Sequence, residues 1–466
     1  MPILHQIPPN PVASYPVVII GGGGCGLTAA LAARDHGADV LVIERDATPR
    51  GTTAMSTGLV PAAGTPDQAA AGITDSAGLL ATDIIAKAKG GDRAVVDRLA
   101  GQSAATVNWL RDTHKVPFSL VTGFLYPGHS AMRMMGTPNR TGEELMAALL
   151  DACSTAGVDI LTDAAATDLV VRETGEISHV MVTRPDGARE AIGCAALILA
   201  CSGFGGNAVM VAQHIPEIGG AVFHGHSGNK GDAIAWGREL GAATADMDAY
   251  QGHGGLAHGH GIPILWPLIM EGGFQVNRAA VRFSNEALGY SEQAAKIIAQ
   301  PDKIAFSIFD DRLHLLMLGF DDYRDAISAG AVVEAATVAE LASIIGLDPT
   351  ALAETIAQVE SMTLGEAPCP FGRDFTGKPP LAAPYRAARV TGALFHTQGG
   401  LVVDENARVL RTDGSALPNL FAGGGAARGV SGTGAAGYIA GNGLLTATGL
   451  GRLAGIAAAA LTGAKT

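Results

Sequence analysis

Val17-Val-Ile-Ile20-Gly21-Gly-Gly23-Gly24-Cys25-Gly26-Leu-Thr-Ala-Ala30 is the stretch that decides the fold. Four β-branched residues in a row, Val17 to Ile20, read as a buried parallel strand. The chain then turns at Gly21 and continues as an Ala-rich helix over Leu27–Gly37. Gly-x-Gly-x-x-Gly between a strand and a helix is a dinucleotide-binding pattern. Gly21 allows the tight turn, Gly23 lets a pyrophosphate approach the backbone, and Gly26 lets the helix pack on the strand. The phosphates meet a helix N-terminus, where free N–H groups and the helix dipole favour an anion. A second strand, Asp39–Ile43, ends in Glu44, an acid placed to accept hydrogen bonds from an adenosine ribose.

The chain has 466 residues, long for one domain, which predicts two. Its net charge is -13 with no basic run, which argues against nucleic acid and anionic membranes as partners. Cys25, Cys153, Cys194, Cys201 and Cys369 are scattered, with no Cys-x-x-Cys pair, so metal, iron–sulfur and c-type haem sites lack support. Free thiols suit a reducing cytoplasm. The start of the chain holds four prolines and no apolar core behind a basic end, so it is not a signal peptide. No window is read as a membrane span, and the apolar tail Leu453–Leu461 reads as a packed terminal helix.

After Glu44 the polar, small-residue segment Arg50–Thr65 is suited to run beside a bound cofactor and donate N–H and O–H groups to it. Asp67–His114 is helical in pattern, and Thr141 with Glu144 forms a capping box signature. Val158–Thr162 is a short strand. Ala166–Arg172, Val180–Arg184 and Ala188–Cys194 read as an antiparallel meander, followed by a separate buried strand from Ala195 that runs into Gly203. The character changes from about Asp246 to Phe375, where histidines, prolines and aromatics cluster. The expected organisation is 1–245 and 376–466 as one domain, with 246–375 inserted as a second. Within the insert, Val338–Leu347 and Pro349–Leu364 read as helices, Asp348 capping the latter. Leu401–Asp404 and Asn419–Ala422 read as strands, and a long apolar helix opens at Gly441.

The order of these motifs carries a resemblance. It includes Leu197–Gly203, Gly273–Glu286, His396-Thr-Gln-Gly-Gly400, Asn419–Gly424 and Gly441-Asn-Gly-Leu-Leu445 as well as the glycine turn and Glu44. Together they resemble the FAD-dependent fumarate reductase and succinate dehydrogenase flavoproteins, with an active site closer to the 3-ketosteroid dehydrogenase branch. The resemblance implies an α/β fold, a Rossmann-like FAD-binding domain with an inserted α+β capping domain. It implies FAD contacts from Gly21, Gly23, Gly24, Cys25, Gly26, Glu44, Arg45, Thr52, Thr53, Ser56 and Gly58. Ala166, Ser202, Gly203, Gly424, Asn442, Gly443, Leu444 and Leu445 complete that set. The Arg50–Thr65 loop holds no histidine, the residue to which succinate dehydrogenases attach flavin, so FAD is expected to be non-covalent.

Departures from the fumarate reductase pattern decide the expected substrate. The arginine that donates a proton there is replaced by the stretch Leu268-Ile-Met270. The arginine that clamps a substrate carboxylate is replaced by Tyr438, and Met134 and Met135 stand near the place of a substrate histidine. Only His396 of that set remains. A site without those arginines cannot hold a dicarboxylate through bidentate pairs. Ketosteroid dehydrogenases use tyrosine at that place to polarise a ketone, and a second tyrosine as base. Tyr126, Tyr250 and Tyr290 are the candidates for the second, with Tyr126 and Tyr290 carried alongside Tyr438 and His396 as catalytic candidates. His253, His258 and His260 lie in a glycine-rich loop without metal-ligand spacing and read as loop or cleft residues.

The resulting expectation is an FAD-dependent oxidoreductase acting on CH–CH bonds next to a carbonyl, with a small-molecule carbonyl substrate and an electron donor or acceptor left unspecified. The alternative is fumarate-type reduction of an unsaturated carboxylate, using arginines from elsewhere such as Arg133 or Arg386. A third reading is a non-catalytic flavin-binding electron-transfer subunit.

Overall fold

The computed structural model describes residues 3–6 and 11–463. It divides into two compact units. One comprises the residues up to Ile215, Gly225–Tyr250 and His396 onward; the other comprises Pro216–His224 and Gln251–Phe395. These boundaries differ from the expected 245/246 and 375/376. The reason lies in the long strand Tyr385–Thr397, which pairs antiparallel with Ile304–Asp310 and with Val332–Ala335 and so belongs to the second unit's sheet for most of its length. Val222–Phe223 pairs parallel with the same strand at Ala393 and Leu394, which draws Pro216–His224 into that unit.

The first unit is built on a nine-stranded sheet. Ala13–Ile20 lies between Val40–Ile43 and Arg189–Leu199, all parallel, with Val18 level with Leu41 on one side and Leu197 on the other. Asp159–Leu161 extends the sheet beyond Val40–Ile43. Val17, Val18 and Ile19 have no exposed surface, which is why the strand reads as an unbroken apolar run. The meander and the following strand, expected as separate elements, share one continuous strand, Arg189–Leu199. Its first half pairs antiparallel with Ile177–Thr183, while its second half pairs parallel with Ala13–Ile20 and Ala416–Ala422. One strand thus joins two local geometries that sequence patterning treats as two.

Other local expectations shift in detail. Thr141 accepts from the Glu144 N–H at 3.2 Å, but the Glu144 carboxylate accepts from the Asn139 N–H at 2.8 Å rather than closing a capping box. The helical region after Asp67 is three helices, Pro66–Ala70, Ala77–Lys87 and Arg93–Asp112. Leu401–Asp404 is a strand only over Gly400–Leu401. In the second unit the helices run Val338–Ile345 and Pro349–Thr363, the latter capped by Asp348 through the Ala351 N–H at 2.8 Å.

The expected short tail helix is instead the end of one 20-residue helix, Asn442–Leu461. By length and composition it meets the test for a membrane span, contrary to the sequence reading, but most of it is buried inside the first unit. It packs on Gly24–Asp35, the helix of the glycine turn, through small residues. A Cβ at Gly451 would come within 2.6 Å of Cys25 O, and one at Gly455 would collide with Ala29 O. The two backbones approach that closely only because glycine stands at both places.

Candidate cofactor cradle and active-site cluster

The glycine turn has the geometry its spacing predicts. Gly21 sits at φ +108°, and a Cβ there would lie 2.6 Å from Ala200 O. A side chain at Gly26 would collide with Gly21 O. Gly23 differs: only Thr53 Oγ1, at 3.8 Å, comes near its Cβ position. The protein itself does not require glycine at 23, whereas a pyrophosphate lying against the backbone does. Thr53 Oγ1 accepts from the Gly24 N–H at 3.1 Å and joins the Arg50–Thr65 segment to the turn.

Glu44 is buried at the end of Val40–Ile43. Its carboxylate accepts from the Gly22 N–H at 2.8 Å and the Asp46 N–H at 3.0 Å. Those bonds fix both oxygens beside the turn, with lone pairs left for ribose hydroxyls. Arg45 pairs with Asp232 at 2.9 Å. Thr52 Oγ1 accepts from the His226 N–H at 3.1 Å and from Asn229 Nδ2 at 2.8 Å. Ser56 Oγ donates to Thr53 O and accepts from the Gly58 N–H. Ala166 lies on the strand Ala165–Val171, close after Ala164, whose N–H donates to Glu44 O. Ser202 follows Arg189–Leu199 with φ 65°, and a side chain at Gly203 would collide with Thr397 Oγ1. Gly424 faces Cys25, with 3.1 Å between its Cβ position and Cys25 Cβ. Glu44 and Thr53 are thereby tied to the glycine turn, and the donors and acceptors gathered there are of the kinds a dinucleotide needs.

Gly441 takes a left-handed conformation at φ 83° and starts Asn442–Leu461. Of the first turn's N–H groups, Leu445 donates to Gly441 O and Asn442 to Ile439 O, which leaves those of Gly443 and Leu444 with no acceptor further back in the helix. Asn442 Oδ1 is buried with no hydrogen-bond partner, while its Nδ2 donates to Ser431 Oγ at 3.2 Å. Such an orphaned acceptor beside free N–H groups fits the polar edge of a flavin ring, which presents both donors and acceptors.

His396 lies over that helix start. Its Nε2 would be 2.7 Å from a Cβ at Gly443, so glycine is needed for the ring to sit there. Gln398 Nε2 lies 2.7 Å from His396 Nδ1, and Tyr438 packs edge-on to the imidazole with centroids 5.9 Å apart. Burial pushes His396 down to about 4, against a smaller opposing pull from the Thr397 backbone, so the ring is neutral near pH 7. Tyr438 is itself buried.

Tyr126 stands on a turn closed by the His129 N–H, which donates to Tyr126 O at 3.1 Å. Tyr290 is in the second unit, at the start of Tyr290–Ile298, and packs with His253 and Trp266. Tyr250 is fully buried. His253 stacks on Phe395 at 4.9 Å and accepts from the Gly255 N–H, and burial pushes it down to about 3. Among the described residues no three His, Cys, Asp or Glu side chains gather to hold a metal ion.

The two arginines suggested as carboxylate clamps are otherwise engaged. Arg133 is buried, bidentate to Asp75 at 2.9 Å for both contacts and paired with Asp83 at 2.5 Å. Arg386 pairs with Asp311 at 2.9 Å and with Glu334. The sequence reading missed Gln398, Ser431, Thr397 and His129. Gln398 was within reach, as the variable position of His-Thr-x-Gly-Gly; His129 carries no local signal.

A family model described as FAD binding domain matches residues 16–444. Fumarate reductase (cytochrome) of Shewanella frigidimarina is 29% identical over 449 residues, covering 95% of this chain and 76% of the relative. The open conformation of a flavocytochrome c3 fumarate reductase superimposes with a TM-score of 0.82 at 26% identity, over 97% of this chain and 79% of that one. The 3-ketosteroid-Δ4-(5α)-dehydrogenase of Rhodococcus jostii RHA1, in complex with 4-androstene-3,17-dione, gives a TM-score of 0.76 at 25% identity, over 98% and 99%.

Proposed function

The chain belongs to the FAD binding domain family and is an FAD-dependent CH–CH oxidoreductase, and from that premise we propose that it acts on a carbon–carbon bond conjugated with a carbonyl group. Bound FAD supplies two-electron, hydride-level chemistry. The chain's own part is to hold the carbonyl oxygen and to move a proton. Tyr438 donates its O–H to the oxygen, beside a neutral His396, and Tyr126, a second tyrosine of the same unit, exchanges the proton at the carbon next to the carbonyl. Neutral donors suit an oxygen that gains charge as an enolate forms.

Two substrate classes remain in view. Relatives named for reduction of fumarate, urocanate and acrylate support an unsaturated carboxylate, the second of the three sequence readings, more than they support a ketone. Tyr438 in place of an arginine, with Arg133 and Arg386 already paired, supports a ketone. That arrangement is the observation that carries the ketone reading. Non-covalent attachment rests on the Arg50–Thr65 loop lacking histidine. A cytoplasmic location, also proposed, rests on free cysteines.

Turnover of a cyclic enone against fumarate, each with an artificial electron carrier, separates the classes. Tyr438→Phe is expected to lower enone turnover on the order of 10²–10³-fold, as for loss of one oxyanion donor, with FAD content unchanged. Near-normal turnover in that variant would falsify the ketone-polarising role. Acid precipitation is expected to release free FAD; flavin retained in the pellet means a covalent link.

A further inference from the structure

Two tyrosine-bearing segments of the first unit, Tyr126–His129 and Ala435–Gly441, meet at one imidazole. His129 Nε2 lies 3.0 Å from Ala440 O, and Nδ1 lies 3.1 Å from Arg133 Nη1. A carbonyl oxygen only accepts and a guanidinium only donates, so the tautomer follows from the partners. The proton is on Nε2, and the lone pair on Nδ1 accepts from arginine. Arg133 Nη1 has two hydrogens; the other goes to Asp83. The rest of the guanidinium is locked on Asp75. The imidazole therefore has a fixed anchor on one side and a backbone carbonyl on the other.

That carbonyl is well placed to matter. Ala440 is two residues after Tyr438 and adjoins Gly441, which starts Asn442–Leu461. The other end of the same turn is close as well: a Cβ at Gly128 would lie 3.2 Å from Ile439 Cγ1. We propose that His129 is a positioning residue, its Nε2–H gripping the Ala440 carbonyl so that the Tyr126 turn and the Tyr438 segment are held in one fixed arrangement. Arg133 is then the anchor of this grip instead of a substrate clamp. The inference rests on the reading that Tyr438 meets the substrate carbonyl. Burial first, and the Arg133 charge second, push His129 down to about 4 against the pull of Ala440, Asp83 and Asp75, which keeps one N–H on the ring at neutral pH.

The test uses the full chain with FAD and 3-fluorotyrosine in place of tyrosine. Fluorine resonances of Tyr126 and Tyr438 are assigned by their Phe variants. His129→Leu fills the volume but loses both bonds. It is expected to shift both resonances and to lower turnover on the order of 10²-fold, the effect of a misplacement of about 1 Å, with FAD content retained. His129→Gln, whose amide can accept from Arg133 and donate to Ala440 O, is expected to bring both readouts back toward wild type. Unmoved resonances in His129→Leu overturn the proposal, and so does a glutamine variant as displaced as the leucine one. Should His129→Leu precipitate, His129→Asn, too short to span both partners, gives the same reading. If the wild-type enzyme turns over neither enone nor fumarate, the substrate reading falls while the fluorine spectra still decide the role of His129.

Discussion

Each unit buries a cluster of charges, and these two clusters are out of balance in opposite directions. In the first, Arg133 faces two carboxylates, Asp75 and Asp83. In the second, Glu286 faces two guanidiniums, Arg282 and Arg373. The extra negative charge is met by N–H and O–H donors: Ser130 donates twice to Asp83, and Gln68 and the Ser76 N–H donate to Asp75. Burial pushes the Asp83 carboxyl up, but Ser130 and Arg133 outweigh it and hold it below its ordinary range. The extra positive charge is met by carbonyls and aromatic faces. Arg373 donates to Ile269 O at 2.6 Å and lies 4.1 Å over the Phe375 ring, and Arg282 donates to Ser284 O. Arg282 Nη1 also points at Cys369 Sγ, 3.2 Å away. The difference teaches that the escape routes are unequal. A carboxylate left alone can take up a proton, whereas a guanidinium cannot lose one.

That asymmetry sets the order of expected effects. Glu286→Gln strands two buried cations and is expected to destabilise the second unit by about 5 kcal/mol, the upper end for breaking a buried pair. Urea unfolding read from Trp266, the one tryptophan of that unit, in a Trp109→Phe, Trp236→Phe chain measures it. A loss as small as that of a surface pair would break the comparison. Arg133→Leu is expected to cost less, about 3 kcal/mol at pH 8. Its cost should shrink toward pH 5. With Arg133 present the folded-state pKa of Asp83 is lowered, so its stabilisation is present above the ordinary range and lost as pH falls through the lowered value. Without Arg133 the Asp83 carboxyl keeps only the Ser130 bonds against burial, and stability is then expected to fall as pH rises. A loss independent of pH means the carboxylates do not escape by protonation.

The smallest effect is chemical and leaves the fold intact. Burial raises the Cys369 thiol, but Arg282 and the Phe371 and Arg373 N–H groups outweigh it and bring it below its ordinary value. Burial pushes Cys25, Cys153, Cys194 and Cys201 up to about 12. Iodoacetamide under native conditions, followed by peptide mass spectrometry, is expected to label Cys369 first. Equal labelling of all five would show that the positive imbalance does not reach the sulfur.

The cradle was legible because its cause is local. Gly26 answers a steric demand from Gly21 O within the same turn, Gly23 leaves its backbone face open, and Glu44 follows the next strand. Tyr438 and His396 were legible from motif position, and the structure brings their rings together. Arg133 was misjudged because its partners lie 58 and 50 residues back in the chain, with no pattern linking them. The one-strand junction Arg189–Leu199 was split for a related reason. The switch from antiparallel to parallel neighbours depends on which strands lie beside it, and the alternation of its own residues does not record that.

The close fit between Gly24–Asp35 and Asn442–Leu461 has a consequence for synthesis. The helix that presents the phosphate-binding turn is made about 400 residues before the helix it packs against. At ribosomal rates of roughly 5–20 residues per second, its alanine-rich face waits tens of seconds for a partner. During that interval the nascent cradle exposes the surface that glycines 451 and 455 later cover. Cofactor loading before the later helix emerges would take place on an unfinished wall. A chain released before residue 442 carries the whole nucleotide motif without the element that seats it, and chaperone engagement of such truncated chains should centre on Leu27–Ala33.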